Sequence, residues 1–134
     1  MDRSYAEIVE VLQRYFDGFY TSDVKMLQGV FHPSCHLYNA SAGPLIDDDM
    51  DVVYERVSNR TPPAAENQKR LDRVLSIDRS GPESALAKVQ IAIGPNLYTD
   101  YLTLLQIEGR WQIISKTYTS VPIAVERAEA QAAE

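Results

Sequence analysis

The sequence predicts an α+β fold in which three N-terminal helices precede an antiparallel meander of strands. Two observations carry this reading. Apolar residues recur at helical spacing through the first 57 residues and at a period of two from residue 69 onward. Turn signals at Ser80-Gly81-Pro82, Gly94-Pro95-Asn96 and Glu108-Gly109-Arg110 then divide the second part into hairpin-sized segments.

Ser4 followed by Glu7 fits a capping box, and Tyr5, Ile8, Val9, Leu12, Tyr15, Phe16 and Phe19 form the stripe of a first helix behind it. Thr21-Ser22-Asp23 offers the next N-cap, Val24, Leu27, Val30 and Phe31 repeat the spacing, and Pro33 ends it, so that His32-Pro33-Ser34 reads as a helix-ending turn. "CHLYNA" reads as a short strand and "SAGP" as its break. "DDDMDVVYERVSNR" opens a third helix on Met50, Val53, Tyr54 and Val57, its aspartates lying where the helix dipole favours negative charge. A calcium loop counted from Asp47 would need Gly and Glu where Val52 and Ser58 stand. "TPPAAENQ" reads as a loop.

Four strands follow, at 69–78, 84–93, 97–107 and 111–120. The first puts Leu71, Leu75 and Ile77 on one face, and the second puts Ala85, Ala87, Val89, Ile91 and Ile93 on one face. Both faces of the last two are apolar: Tyr98, Leu102 and Leu104 oppose Tyr101, Leu105 and Ile107, then Trp111 and Ile113 oppose Ile114 and Tyr118. A sheet with one wet face alternates more cleanly than this. One face is therefore expected to pack on the helices and the other on a second subunit, giving a homodimer through the sheet. Residues 1–121 form the expected domain, and 122–134, Ala/Glu-rich with Pro122 suited to a first helical position, a helical or frayed tail.

At 134 residues the chain suits one domain, large enough to bury roughly two-thirds of its unfolded surface without staples. A net charge of −6, with thirteen scattered basic residues, argues against a nucleic-acid partner. The start, "MDRSYAEIVE", mixes acidic and apolar residues and reads as neither signal peptide nor membrane span, so a cytoplasmic protein with no membrane partner is expected. The single cysteine excludes an internal disulfide and fits a reducing compartment.

That cysteine lies beside both histidines, at His32, Cys35 and His36. A zinc shell would need a carboxylate or water to complete it, and neighbours on a strand point to opposite faces. A small core residue at Cys35 is the more economical reading, and no metal is expected. No dinucleotide, nucleotide or zincin motif occurs, so no cofactor is expected either.

"YFDGFYTSDVKMLQGVFHPSCHLY", with "LSIDRSGPESALAKVQIAI" and "YTDYLTLLQIEGRWQIISKTY" behind it, resembles the nuclear transport factor 2-like superfamily, and within it a bacterial group labelled lumazine-binding. The resemblance spans about residues 5 to 120. It implies a cystatin-like cone: a strongly curved, mixed, mostly antiparallel sheet in α-α-β-α-β-β-β-β order, wrapped round the helices and enclosing a pocket. Ketosteroid isomerase and the SnoaL-like cyclases share this cone, as do subunits that only bind proteins, so fold alone leaves function open. By resemblance to the isomerase, Tyr15 takes the place of its oxyanion-hole tyrosine and Asp100 of its oxyanion-hole acid. Counted from Phe31, its proton-moving aspartate falls on Asn39, whose amide has no usable carboxylate.

Two uses stay open for Asp100, as the candidate acid of a pocket or as a structural partner of Lys116 or Arg110. Tyr15 reads first as a core tyrosine whose hydroxyl finds a partner. The expectation is a pocket for a small apolar or aromatic molecule contacted by Tyr15, Phe19, Tyr38, Asn39, Asp100 and Tyr118. The alternatives are a cofactor-free lyase, isomerase or hydrolase, and a protein-interaction subunit using the sheet face.

Overall fold

The computed structural model describes residues 2–128. Helices α1 (Ser4–Thr21), α2 (Val24–Gln28) and α3 (Met50–Asn59) pack into the curve of one six-stranded sheet. Its strands are β1 (Phe31–Asn39), β2 (Ile46–Asp49), β3 (Arg73–Ser80), β4 (Ser84–Ile93), β5 (Asn96–Ile107) and β6 (Arg110–Pro122), in the spatial order β2-β1-β6-β5-β4-β3. All neighbours are antiparallel except β1 and β6, which makes the sheet mixed.

The stripe on α1 is buried at Ile8, Leu12, Tyr15, Phe16 and Phe19, while Tyr5 faces solvent. Its start differs from the capping-box reading: Ser4 is already helical, and Asp2 Oδ1 accepts from the Ser4 amide at 2.8 Å. At its end, a Cβ on Gly18 would lie 2.6 Å from the Leu27 side chain, so only glycine lets α2 close this tightly on α1. Asp23 caps α2, accepting from the Met26 amide at 3.0 Å.

Four local expectations are corrected. His32-Pro33-Ser34 is an irregularity inside β1, between its pairings at Phe31 and His36. A proline tolerated at such a bulge breaks no ladder bond. Asp47 and Asp48 do not begin α3; they form β2, which pairs antiparallel with β1 and covers its edge. Only Asp49 caps the helix, accepting from the Val52 amide at 3.0 Å. The "TPPAAENQ" loop contains a 3₁₀ turn at Pro63–Glu66. Pro122 closes β6 instead of opening a helix, and the chain continues extended against residues 67–69 through Lys69 N to Glu126 O and Ala128 N to Asn67 O, each 2.8 Å. The tail beyond 128 lies outside the described residues.

Face assignment is corrected at two bulges. In β3 the register shifts between Val74 and Ser76, so Val74 and Ile77 pack on the core and Leu75 turns out. In β6, Ile113 pairs with Leu104 and Ser115 with Thr103, which leaves Ile114 as an extra residue. A bulge resets the alternation. Trp111, Ile113, Lys116 and Tyr118 consequently share the inner face, where counting by twos had set Tyr118 against Trp111 and Ile113. Opposite them, β5 turns Tyr98, Asp100, Leu102 and Leu104 inward in unbroken alternation.

Candidate functional site

The register fixes the site. Asp100 on β5 stands opposite Tyr118 on β6, and Leu102 opposite Lys116, so Asp100 and Lys116 are diagonal neighbours on the inner face. From α1, Tyr15 donates to Asp100 Oδ2 at 2.5 Å. Lys116 Nζ lies 3.6 Å from the same oxygen. The ammonium is ringed by aromatic faces, 5.1 Å from the Tyr15 centroid, 4.9 Å from Phe19 and 5.0 Å from Tyr118. Asp100 is fully buried and Lys116 is 5% exposed, while the second carboxylate oxygen, Oδ1, is buried with no hydrogen-bond partner among the described residues.

These burials move the titrations. Desolvation raises the Tyr15 phenol well above its ordinary value, and the Asp100 carboxylate beside it pushes the same way. Desolvation lowers Lys116, with Asp100 pulling it back part of the way and Arg60 lowering it further. Tyr118, half-buried, is also raised by burial.

A cavity of about 40 Å³ opens beside Lys116, between α1, α3, β1 and the inner face of the sheet. Phe19, Leu37, Val53, Val57, Ile93, Tyr98 and Tyr118 line it together with Lys116, Arg56 and Arg60. It has room for a few waters at most; a larger ligand enters only if side chains at its mouth swing aside. Arg56 is paired with Asp48 at 3.0 Å. Arg60 packs its guanidinium 5.8 Å from the Phe19 centroid, and its buried Nε has no hydrogen-bond partner among the described residues. Burial lowers the Arg60 pKa, and the charge is retained because an arginine starts so high. The cavity wall is thus apolar, aromatic and cationic, with the Asp100 carboxylate behind Lys116.

Of the six residues expected to contact a ligand, Phe19 and Tyr118 line the cavity directly. Tyr15 and Asp100 stand behind Lys116. Asn39 does not line it; its side-chain amide donates to the Tyr118 hydroxyl at 3.0 Å, and its Oδ1 accepts from Ser41 N at 3.2 Å. Tyr38 is turned away, its ring stacked 6.1 Å from His36. Leu37 between them is the residue β1 turns inward.

Arg56 and Arg60 were missed by sequence reasoning. Arg56 follows Val53, and Arg60, the C-cap of α3, follows Val57, each at a spacing of three, and that interleaving was the available signal.

The His32, Cys35 and His36 groups diverge. Burial pushes the Cys35 thiol up to about 12, so no thiolate is present at neutral pH. His36 Nδ1 meets Asp47 at 2.6 Å on the far side of the strand, and His32 Nδ1 accepts from the Ser34 amide at 3.0 Å.

A curved, mixed six-stranded sheet closed over three helices is the nuclear transport factor 2-like fold. The fold agrees with solved structures. A protein of this class from Shewanella baltica superposes with a TM-score of 0.81 at 24% identity, covering 90% of this chain and 95% of that one. Another, from Silicibacter pomeroyi, gives 0.79 at 19% identity over 89% and 97%. A ketosteroid isomerase-like protein from Erwinia carotovora gives 0.69 at 13% identity over 90% and 98%. Residues 3–119 match the family described as "Putative lumazine-binding", and the chain belongs to that family. It is also 23% identical, over 120 residues, to Aldolase FrzH of a Cladobotryum species, which spans 88% of this chain and 92% of that protein. No helix among the described residues is long and apolar enough to cross a membrane.

Proposed function

We propose that the protein binds a small organic molecule with an apolar or aromatic body and an anionic or carbonyl oxygen, in the cavity beside Lys116. The observation that carries this is the buried Tyr15–Asp100–Lys116 cluster, whose lysine lines the cavity with the tyrosine and the acid behind it. Taking an acid and an amine out of water is costly for folding, and aliphatic residues at positions 100 and 116 would fill the same volume without that cost. A cluster of this kind is characteristic of sites whose groups must act on a ligand. The cations Lys116 and Arg60 set the sign expected of the ligand's polar end, and Phe19, Tyr98 and Tyr118 its flat body.

A cofactor-free lyase is the second reading. It is favoured by the relative named an aldolase, by a lysine on the cavity wall that can hold a carbonyl oxygen, and by an acid directly behind it that can exchange protons with it. Asn39 offers no base, so Asp100 would serve.

The test is a thermal-shift and NMR screen against lumazine, aromatic carboxylates, aromatic 2-oxo acids and β-hydroxy ketones. Binding is expected to raise the melting temperature by mass action, and a lyase would also cleave the β-hydroxy ketone into two carbonyl products. No stabilisation by any of them would sink the ligand reading; binding without cleavage would sink the lyase.

We propose, too, that two copies pair through the outer sheet face, where Leu75, Leu86, Tyr101 and Val121 remain 38–54% exposed. Sedimentation is expected to show a dimer that Tyr101→Glu dissociates. A wild-type monomer at micromolar concentration would overturn it.

A further inference from the structure

Three features of Lys116 have no purpose in a site that needs only a positive charge. Its only carboxylate neighbour within 4 Å among the described residues is Asp100, and the oxygen facing it is already taken by Tyr15 at 2.5 Å. Its surroundings are three aromatic faces, which attract the ammonium through their π-systems but offer it no second counter-charge. And it lines the cavity beside a second cation, Arg60, free of any carboxylate among the described residues and able to take the anionic end of whatever enters. An arginine at position 116 would bind an anion better, in a bidentate fork.

From this arrangement we infer that Lys116 is a nucleophile that forms an imine with a small carbonyl compound, preferentially a 2-oxo acid whose carboxylate meets Arg60. The inference rests on the ligand reading above and deepens it.

The step balances without oxidant or reductant. Lys116 passes one proton to Asp100, and the neutral amine adds its lone pair to the carbonyl carbon, giving a carbinolamine. Asp100, hydrogen-bonded to Tyr15, returns the proton to the departing hydroxyl. Water leaves, the C=N bond forms and Asp100 is a carboxylate again. The lysine's charge is carried through as the iminium. Burial of Lys116 lowers the cost of the first proton transfer, and Arg60 adds to the effect.

The wild-type chain is incubated with pyruvate, phenylpyruvate or acetone in the presence of sodium borohydride, which fixes an imine as a stable secondary amine. Intact mass and peptide mapping then locate the adduct. The chain has three other lysines, Lys25, Lys69 and Lys88, which serve as internal controls. One adduct is expected, on Lys116, about tenfold or more above the other lysines, since each unit by which a pKa falls raises the neutral amine about tenfold at neutral pH. Pyruvate or phenylpyruvate should label faster than acetone, and Arg60→Gln should remove that preference, slowing the 2-oxo acids more than it slows acetone. Lys116→Arg should abolish the adduct, but the peptide map of the wild-type protein decides the matter even if that variant folds poorly.

Labelling spread evenly over the lysines, or none on Lys116 with any of the three probes, overturns the imine. If phenylpyruvate raises the melting temperature while no adduct forms, the imine falls and the ligand reading stands. If it does neither, and the wider screen is also negative, both fall.

Discussion

Asp100→Ala is expected to destabilise the protein by about 3–5 kcal/mol, because it strips the counter-charge from a buried lysine and leaves the Tyr15 hydroxyl without its acceptor. The lysine can escape part of this by giving up its proton, which its lowered pKa already favours. That route makes the loss larger at low pH, where the ammonium is held, than near pH 9. The partner experiment is Asp100→Ala combined with Lys116→Met. Removing both charges should restore about 1–3 kcal/mol relative to Asp100→Ala alone, since groups in direct contact couple by that much. Urea denaturation of the wild type, the two single variants and the double variant measures it. An Asp100→Ala protein within about 1 kcal/mol of wild type, or additive single and double losses, would mean that Asp100 and Lys116 are not partners in the folded state.

Regular alternation was the part of the fold that could be read from the sequence. The stripe of Ile8, Leu12, Phe16 and Phe19 on α1, and Ala87, Val89 and Ile91 on β4, follow fixed periods because each element packs one side on the core. Where the chain interrupts a period, the reading failed. Ile114 is one residue too many for β6, and by resetting the alternation it brings Lys116 and Tyr118 to the same face as Trp111 and Ile113. Asp47 and Asp48 have no strand signature of their own; β2 exists because the edge of β1 offers it partners, a tertiary cause that composition does not carry. The site divides in the same way. Tyr15 and Asp100 were found through resemblance to a family, as single residues 85 positions apart, and their contact at 2.5 Å is a property of the fold alone. Arg60 belongs to no motif and acquires its place from the turn of α3 that sets Val57 beside it.

Phe19→Ala is the second large effect and probes the cavity itself. The ring is 3% exposed and meets Tyr15 edge-on at 5.0 Å and Phe31 at 6.1 Å, so truncation is expected to cost about 3–5 kcal/mol. It also extends a cavity of about 40 Å³ by the volume of a phenyl ring. Two fates for that space give opposite results. If the apolar wall governs, the space stays dry and toluene fills it, raising the variant's melting temperature by several degrees more than that of the wild type. If Lys116, 4.9 Å from the lost ring, draws water in, toluene gives no such gain and the lysine's pKa relaxes upward, which a chemical-modification profile against pH would register. The first outcome is expected, because two aromatic rings still face the ammonium and Val53, Val57 and Ile93 make up the rest of the wall. It would show that the cone keeps an apolar chamber directly beside a charged group, the condition under which a buried lysine is reactive instead of merely paired.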